Sequence, residues 1–160
     1  MIETSATSDA PSNCTELETQ DFVEQTEFAK GQAAVASCRE ADPSASAESV
    51  EVANVEVDGD EATADATFEG SSFNRQTLAL ALVRDEAGWK LDRIVAFRGF
   101  DKDAFLRAFE KTLLAPPDPA TGQQAACIIR LLRRSDDEKL QDVLLGGDPK
   151  PYETVFGLCA

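Results

Sequence analysis

The chain has no histidine, and only one methionine, one tryptophan and one tyrosine among 160 residues. Without histidine it lacks the side chain that most often serves as a general base at neutral pH. Ser–His and Cys–His nucleophile pairs are therefore excluded, as are zinc sites that need imidazole. No G-x-G-x-x-G, Walker or G-x-S-x-G pattern occurs, so the motif-bearing nucleotide and hydrolase classes are not indicated. No apolar run approaches the roughly 18 residues that cross a bilayer. Positive charge is scarce in the first half: residues 1–74 hold 17 acids against Lys30 and Arg39, whereas residues 75–160 hold 13 acids and 13 bases. The whole net charge of −15 thus comes from the first half. Such a surface repels phosphate backbones and anionic lipids, so nucleic acid is not an expected partner and a solubilising surface is the simplest reading. No metal and no cofactor are expected.

Four cysteines are present: Cys14, Cys38, Cys127 and Cys159. Their spacing fits no zinc pattern, which leaves disulfides. Three connectivities are open. The local pairing, Cys14 with Cys38 and Cys127 with Cys159, is the one expected, because it staples the helical segment at each end of the chain. Each bridge would contribute about 3–4 kcal/mol through loop closure, and the pair implies an oxidising, extracytoplasmic compartment.

From Ser49 to Phe97 four runs of alternating residues are parted by Asp58-Gly59, by Gly70 to Arg75 and by Asp85 to Gly88, the pattern of an antiparallel meander. In the first run Val50 and Val52 have one parity and Val55 and Val57 the other. A bulge near Ala53-Asn54 would bring all four to one face and curl the sheet. The second run alternates Ala62, Ala64, Ala66 and Phe68 with polar residues. The third is apolar on both parities, Leu78, Leu80 and Leu82 against Ala79, Ala81 and Val83, which predicts a central strand covered on both faces. The fourth places Trp89, Leu91, Val95 and Phe97 on one parity and Lys90, Asp92, Ile94 and Ala96 on the other.

Residues 1–13 are polar and without periodicity. They read as a flexible linker or expression remnant, dispensable for stability, that would have joined the domain to a signal peptide, a lipid-anchored cysteine or a membrane helix. A first helix is expected over 16–30, with Thr15 and Glu18 as a capping box, and a second over 32–41, ended by Asp42-Pro43. After the sheet, Asp101 can cap a helix with Phe105, Leu106, Phe109 and Leu113 on one stripe. Residues 115–160 read as a helical tail of three pieces, 123–134, 136–145 and 151–159, the second opened by Ser135 and Glu138. The tail is too small for a core of its own and must dock on the small-residue face of the third strand, along the Phe105–Leu113 helix, or on a second copy. The fold class is α+β: two N-terminal helices, a curved four-stranded antiparallel meander, a helix and a short helical tail.

This order of elements, with the Gly59-Asp60 to Ala64 turn and the closing strand Gly88 to Ile94, resembles the nuclear-transport-factor-two-like superfamily over residues 14–114 or so. That superfamily includes ketosteroid isomerase and SnoaL-type cyclases. More narrowly, the two motifs are similar to extracytoplasmic lipoprotein domains of actinobacteria. The resemblance implies a cone-shaped domain whose interior could hold a ligand, with Phe68, Leu80, Trp89 and Phe97 as candidate lining; Trp89 reads first as core. Enzymes of the superfamily place an acid or histidine opposite a tyrosine or second acid, and here Tyr152 lies outside the matching region. Asp65 points away from the alanine face and reads as solvated surface. Arg130, Arg133 and Arg134 are the densest basic cluster, best explained by the dipole at a helix end.

The functional expectation is a secreted or membrane-tethered domain without catalytic activity that binds a small apolar ligand or a protein partner, as a monomer or homodimer. Any membrane contact would run through a tether. The alternative is a SnoaL-like or isomerase-like enzyme built on a lone buried carboxylate.

Overall fold

Four antiparallel strands form a meander in the order β1-β2-β3-β4: β1 Ala47–Asp58, β2 Glu61–Gly70, β3 Thr77–Asp85 and β4 Gly88–Gly99. The computed structural model describes residues 1–8, 10–40, 46–114, 120–146 and 150–159. The turns sit where the sequence marks them. Gly59 holds a φ of 62°, a left-handed conformation that glycine adopts without a Cβ clash. Asp85 Oδ1 accepts from the Ala87 and Gly88 amides at 2.8 and 3.1 Å, closing the last hairpin as an Asx turn.

The predicted bulge is present. The β1–β2 register shifts between Ala53 and Glu56, and Asn54 takes a φ of 51° while its amide donates to Asp65 Oδ2 at 2.8 Å. Val52 then faces Ala66 and Val57 faces Ala62, so the valines on both sides of the bulge share one face. That face carries the first core. Leu78, Leu80 and Leu82 of β3 lie opposite Phe97, Ile94 and Leu91 of β4, and Ala62, Ala64, Ala66 and Phe68 of β2 complete it.

Two strand expectations need correction. β4 does not keep strict alternation: the β3–β4 register shifts three times, so Ile94 is buried where the alternation placed Val95, which is 49% exposed. β3 is central, but among the described residues no helix packs on its outer face. On its outer face Ala79 is buried and Ala81 and Val83 are half-buried. The ion pair between Asp65 of β2 and Arg98 of β4, at 3.3 Å, spans β3 at Ala79 and supplies what cover there is.

The N-terminal segment also differs from the linker expected over residues 1–13. Helix α1, Ile2–Thr7, packs on β1 and places Ile2 in the first core, 9% exposed. An isoleucine with apolar surface to bury outweighs the polar composition around it. A short α2, Asn13–Glu16, follows, and the predicted helix over 16–30 begins only at α3, Gln20–Glu27, capped by Thr19 rather than Thr15. The reason is a strand contact. Residues 17–19 run beside β4, with the Leu91 amide donating to Leu17 O and the Thr19 amide to Leu91 O, both at 2.8 Å, and an extended segment cannot also be helical. Helix α4, Gln32–Arg39, stands where the second helix is predicted; Asp42-Pro43 lies outside the described residues.

Beyond the sheet, Asp101 caps α5, Lys102–Leu113, by accepting from the Ala104 amide at 2.9 Å. The tail forms α6 Gly122–Arg133, α7 Asp137–Gly146 and α8 Lys150–Cys159. Thr121 and Gln124 make a reciprocal capping box at the start of α6. Of the docks open to the tail, it uses the α5 helix: Phe105 and Leu106 pack with Ile128, Ile129, Leu132, Leu140 and Val143 in a second core. Both disulfides have the local connectivity. Cys14–Cys38 joins α2 to α4 and Cys127–Cys159 joins α6 to α8, with Cα separations of 6.1 and 5.8 Å.

If α1 is a packed element, Ile2→Ala should cost about 1–2 kcal/mol of stability, a fall of about 3–6 °C in Tm for a chain of this size. Deletion of residues 1–8 should cost more. Thermal melts of the two variants check this; an unchanged Tm on deletion would restore the linker reading.

Candidate functional site

The concave face of the sheet is covered unevenly, and two depressions result. At one end, residues of α1 and α2 and of the sheet border a half-open cavity of about 210 Å³. Phe68, Phe73, Leu78, Leu80 and Ile94 form its sheet-side wall, Phe22 its α3 wall, and Ser5 and Ala6 its α1 wall. At the other end the face is open. Val52, Val55 and Val57 line a groove with Trp89, with Met1 and with Ile2 and Glu3 of α1.

The four residues expected to line one pocket are thus divided. Phe68 and Leu80 meet in the cavity. Trp89 lies in the open groove, with the Arg84 guanidinium 5.3 Å from its ring centroid and Asp60 in turn 2.8 Å from Arg84 Nη2. Phe97 contacts Phe100 edge-on at 5.2 Å and continues through Phe105 to Phe109, so it joins the two cores rather than lining the cavity. Asp65 is held below the usual carboxylate range, chiefly by the Asn54 amide and further by Arg98, and stays ionised on the outer face. Arg130, Arg133 and Arg134 are exposed at the end of α6.

Two polar residues at the cavity went unrecognised in the sequence. The first is Asn13, 8% exposed. Its Nδ2 donates to Ser8 O at 3.2 Å, while its Oδ1 has no hydrogen-bond donor among the described residues. In the sequence it is visible only as the start of the glycosylation triplet Asn13-Cys14-Thr15, and its burial together with the Cys14 bridge leaves it unsuited to carry a glycan. A buried amide oxygen without a donor costs about 1–3 kcal/mol, and Asn13 is one of the residues lining the cavity.

The second is Glu18, which the sequence suggested only as a helix cap. The extended segment 17–19 instead turns it under α1, where Ser5 Oγ donates to Oε1 at 2.6 Å. Oε2 lies 3.8 Å from Cys38 Sγ, a contact without a shared proton because that sulfur is in a disulfide. Burial pushes the Glu18 carboxyl above the usual carboxylate range; the Ser5 bond pulls it back and the nearby Glu27 raises it further. The ligand atoms of Cys14, Glu18 and Cys38 lie within 4.8 Å of one another, yet the bridged sulfurs offer no thiolate to a metal. The cavity therefore combines a mainly apolar wall with serine and threonine hydroxyls and the Asn13 amide, and the Glu18 carboxylate lies behind Ser5 and Cys38 of its lining.

Comparison with protein-family models, with curated proteins and with solved structures finds no match for the chain.

The shift at Glu18 has a sign that can be measured. With its folded pKa raised, the folded protein holds this proton more tightly than the unfolded chain. Its contribution to folding is full below the unfolded pKa and is lost as pH rises through the folded value. Glu18→Gln keeps an acceptor for Ser5 and removes the charge, so its Tm relative to the parent should be more favourable at pH 7 than at pH 4. Taking the difference between the two proteins cancels Glu24, Asp65 and Asp85, whose lowered values act in the opposite sense. A loss of equal size at both pH values would show that the carboxylate acts only as a structural acceptor.

Proposed function

We propose that the chain is an extracytoplasmic binding domain without catalytic activity, whose cavity takes a small, largely apolar molecule carrying one hydrogen-bond donor. The observation that carries this reading is Asn13: a buried residue at an apolar cavity whose amide oxygen lacks a donor among the described residues. A ligand hydroxyl or N–H placed there would satisfy it, while the body of the ligand would lie against Phe68 and Leu80. At about 210 Å³ the cavity is below the range of ~300–1,000 Å³ that holds drug-sized molecules, so the ligand is small. Two disulfides support the compartment, since such bonds persist where the surroundings are oxidising.

A lone-carboxylate enzyme of the SnoaL or isomerase type is the second reading, and Glu18 is the residue that favours it. Its raised pKa suits a general acid or base. Against it, Ser5 occupies one carboxylate oxygen and the Cys38 sulfur lies beside the other. No titratable side chain lines the cavity among the described residues, Glu18 included, so a proton removed by Glu18 would have no partner to pass to.

Two fluorescent probes of matched shape test the binding reading. 2-Naphthol, which has a hydroxyl donor, should bind saturably, and naphthalene about tenfold more weakly, the equivalent of one hydrogen bond to a buried acceptor. Asn13→Leu should erase the difference between them. Ala6→Phe should fill the cavity and abolish binding of both at an unchanged Tm. If neither probe binds the parent, or if Asn13→Leu leaves their ratio intact, the reading fails.

A further inference from the structure

The β1–β2 hairpin and its exposed edge carry a second, independent message, separate from the cavity. β1 pairs with β2 alone, so among the described residues its outer edge presents unpaired backbone amides and carbonyls. On the concave side of that edge Val52, Val55 and Val57 are 39%, 60% and 62% exposed. They line the open groove of about 320 Å³ with Met1, Ile2, Trp89 and one acid, Glu3 of α1. On the convex side the same strand presents Glu51, Glu56 and Asp58. From residue 40 to residue 74 the sequence has no lysine or arginine. Asp60 and Asp65 are paired with Arg84 and Arg98. Glu48, Glu51, Glu56, Asp58, Glu61 and Glu69 have no cationic partner among the described residues.

Folded proteins usually protect an edge strand with lysine, proline or a charge on the inward-facing positions. Here the inward-facing positions are valines, and the charges are all acidic and all on the other face. The bulge at Asn54 bends the edge but leaves exposed valine on both sides of it. Such an edge rejects a second copy of itself, because two β1 strands would set Glu51, Glu56 and Asp58 against their counterparts, and like charges directly opposed are destabilising. The same acids repel an anionic membrane. They attract a strand of opposite charge.

We propose that the outer edge of β1 takes an extended segment of a partner protein in which β-branched apolar residues alternate with lysine or arginine. Its backbone would extend the sheet by one strand. Its apolar residues would enter the groove beside Val55, Val57 and Trp89, and its cations would lie beside Glu51, Glu56 and Asp58. Backbone pairing supplies affinity, and the alternation of charge with apolar groups supplies selection.

The test uses the intact, disulfide-bonded chain and a capped octapeptide of alternating lysine and valine. It should bind at low salt and weaken as ionic strength rises, with amide chemical-shift changes concentrated in residues 47–58. Replacing its valines with serine should weaken it about tenfold or more, and methylating alternate backbone nitrogens should do the same, each the loss of about 1.4 kcal/mol. On the protein side, the exposed pair Val55→Thr/Val57→Thr and the triple change Glu51→Gln/Glu56→Gln/Asp58→Asn should each reduce affinity by a similar factor at unchanged Tm. The proposal is overturned if the lysine–serine peptide binds as well as the lysine–valine one, since attraction to an acidic surface alone would then suffice. It is also overturned if the shifts map away from β1, if no binding occurs, or if sedimentation shows a dimer closed through this edge. The peptide arms use the native protein, so they decide the matter even where a variant fails to fold.

Discussion

The row of Leu78, Leu80 and Leu82 on β3 is the constraint on which the remaining structure depends. These three side chains sit at the middle of the concave face and are almost wholly removed from water. Something must cover them, and the strands beside them are built for that. β2 presents only alanines opposite the leucines, which leaves room for α1 and α3 to come close. β4 shifts register three times to bring Phe97, Ile94 and Leu91 into line with them. The cover itself is short, with α1 six residues and α2 four, and isolated helices of that length are unstable in water. The extended segment 17–19, bonded to Leu91, and the Cys14–Cys38 bridge hold them in place of intrinsic helix stability.

The second core, around Phe105, Leu106 and Leu132, reaches the sheet through α7, whose Leu145 packs against the first core, and is tied to it by further specific contacts. Rings run from Phe97 through Phe100 and Phe105 to Phe109 at centroid distances of 5.2, 5.7 and 5.9 Å. Two glutamines do the polar part. Gln76, fully buried, donates to Asn74 O and Asp101 O and accepts from the Asp101 amide, which fixes the start of α5. Gln25 donates to Ile94 O and Leu145 O and accepts from the Ile94 amide, which ties α3, β4 and α7 together. Loss of either amide would leave buried backbone groups without partners. Lys102 adds a surface tie from α5 to Asp137 and to the Ser135 carbonyl at the start of α7.

What the sequence disclosed depended on whether a local pattern or a distant contact decided the outcome. The meander, the Ala53-Asn54 bulge, the Asp101 cap and the disulfide pairing all follow from short-range chemistry, and all are present. The misplacements have one cause in common, a contact made far along the chain. Ile2 looked like part of a polar linker because the core it enters lies some fifty or more residues away. Thr15 to Glu18 looked like a capping box because Leu91, which pulls the segment out of helix, is more than seventy residues distant. Val95 looked buried because the register shifts that favour Ile94 are set by the pairing with β3. The cavity was legible only in part for the same reason. Phe68 and Leu80 belong to an evident apolar face, whereas Asn13 and Glu18 acquire their environments from α1, which the sequence did not reveal as structure.

One sheet face therefore ends in two different chemistries, and coverage decides which. Beneath α1 and α2 the face is better covered, and a buried polar atom without a donor, such as Asn13 Oδ1, is costly there. Past the N-terminus of α1, Val52, Val55 and Val57 of β1 remain wet, each exposed by more than a third, and the polar features there are the strand's acids and, among the described residues, its unpaired backbone groups. The β3 leucines form the floor of both: Leu78 and Leu80 line the cavity and Leu82 the groove. α1 also borders both, through Ser5 and Ala6 on one side and Ile2 on the other.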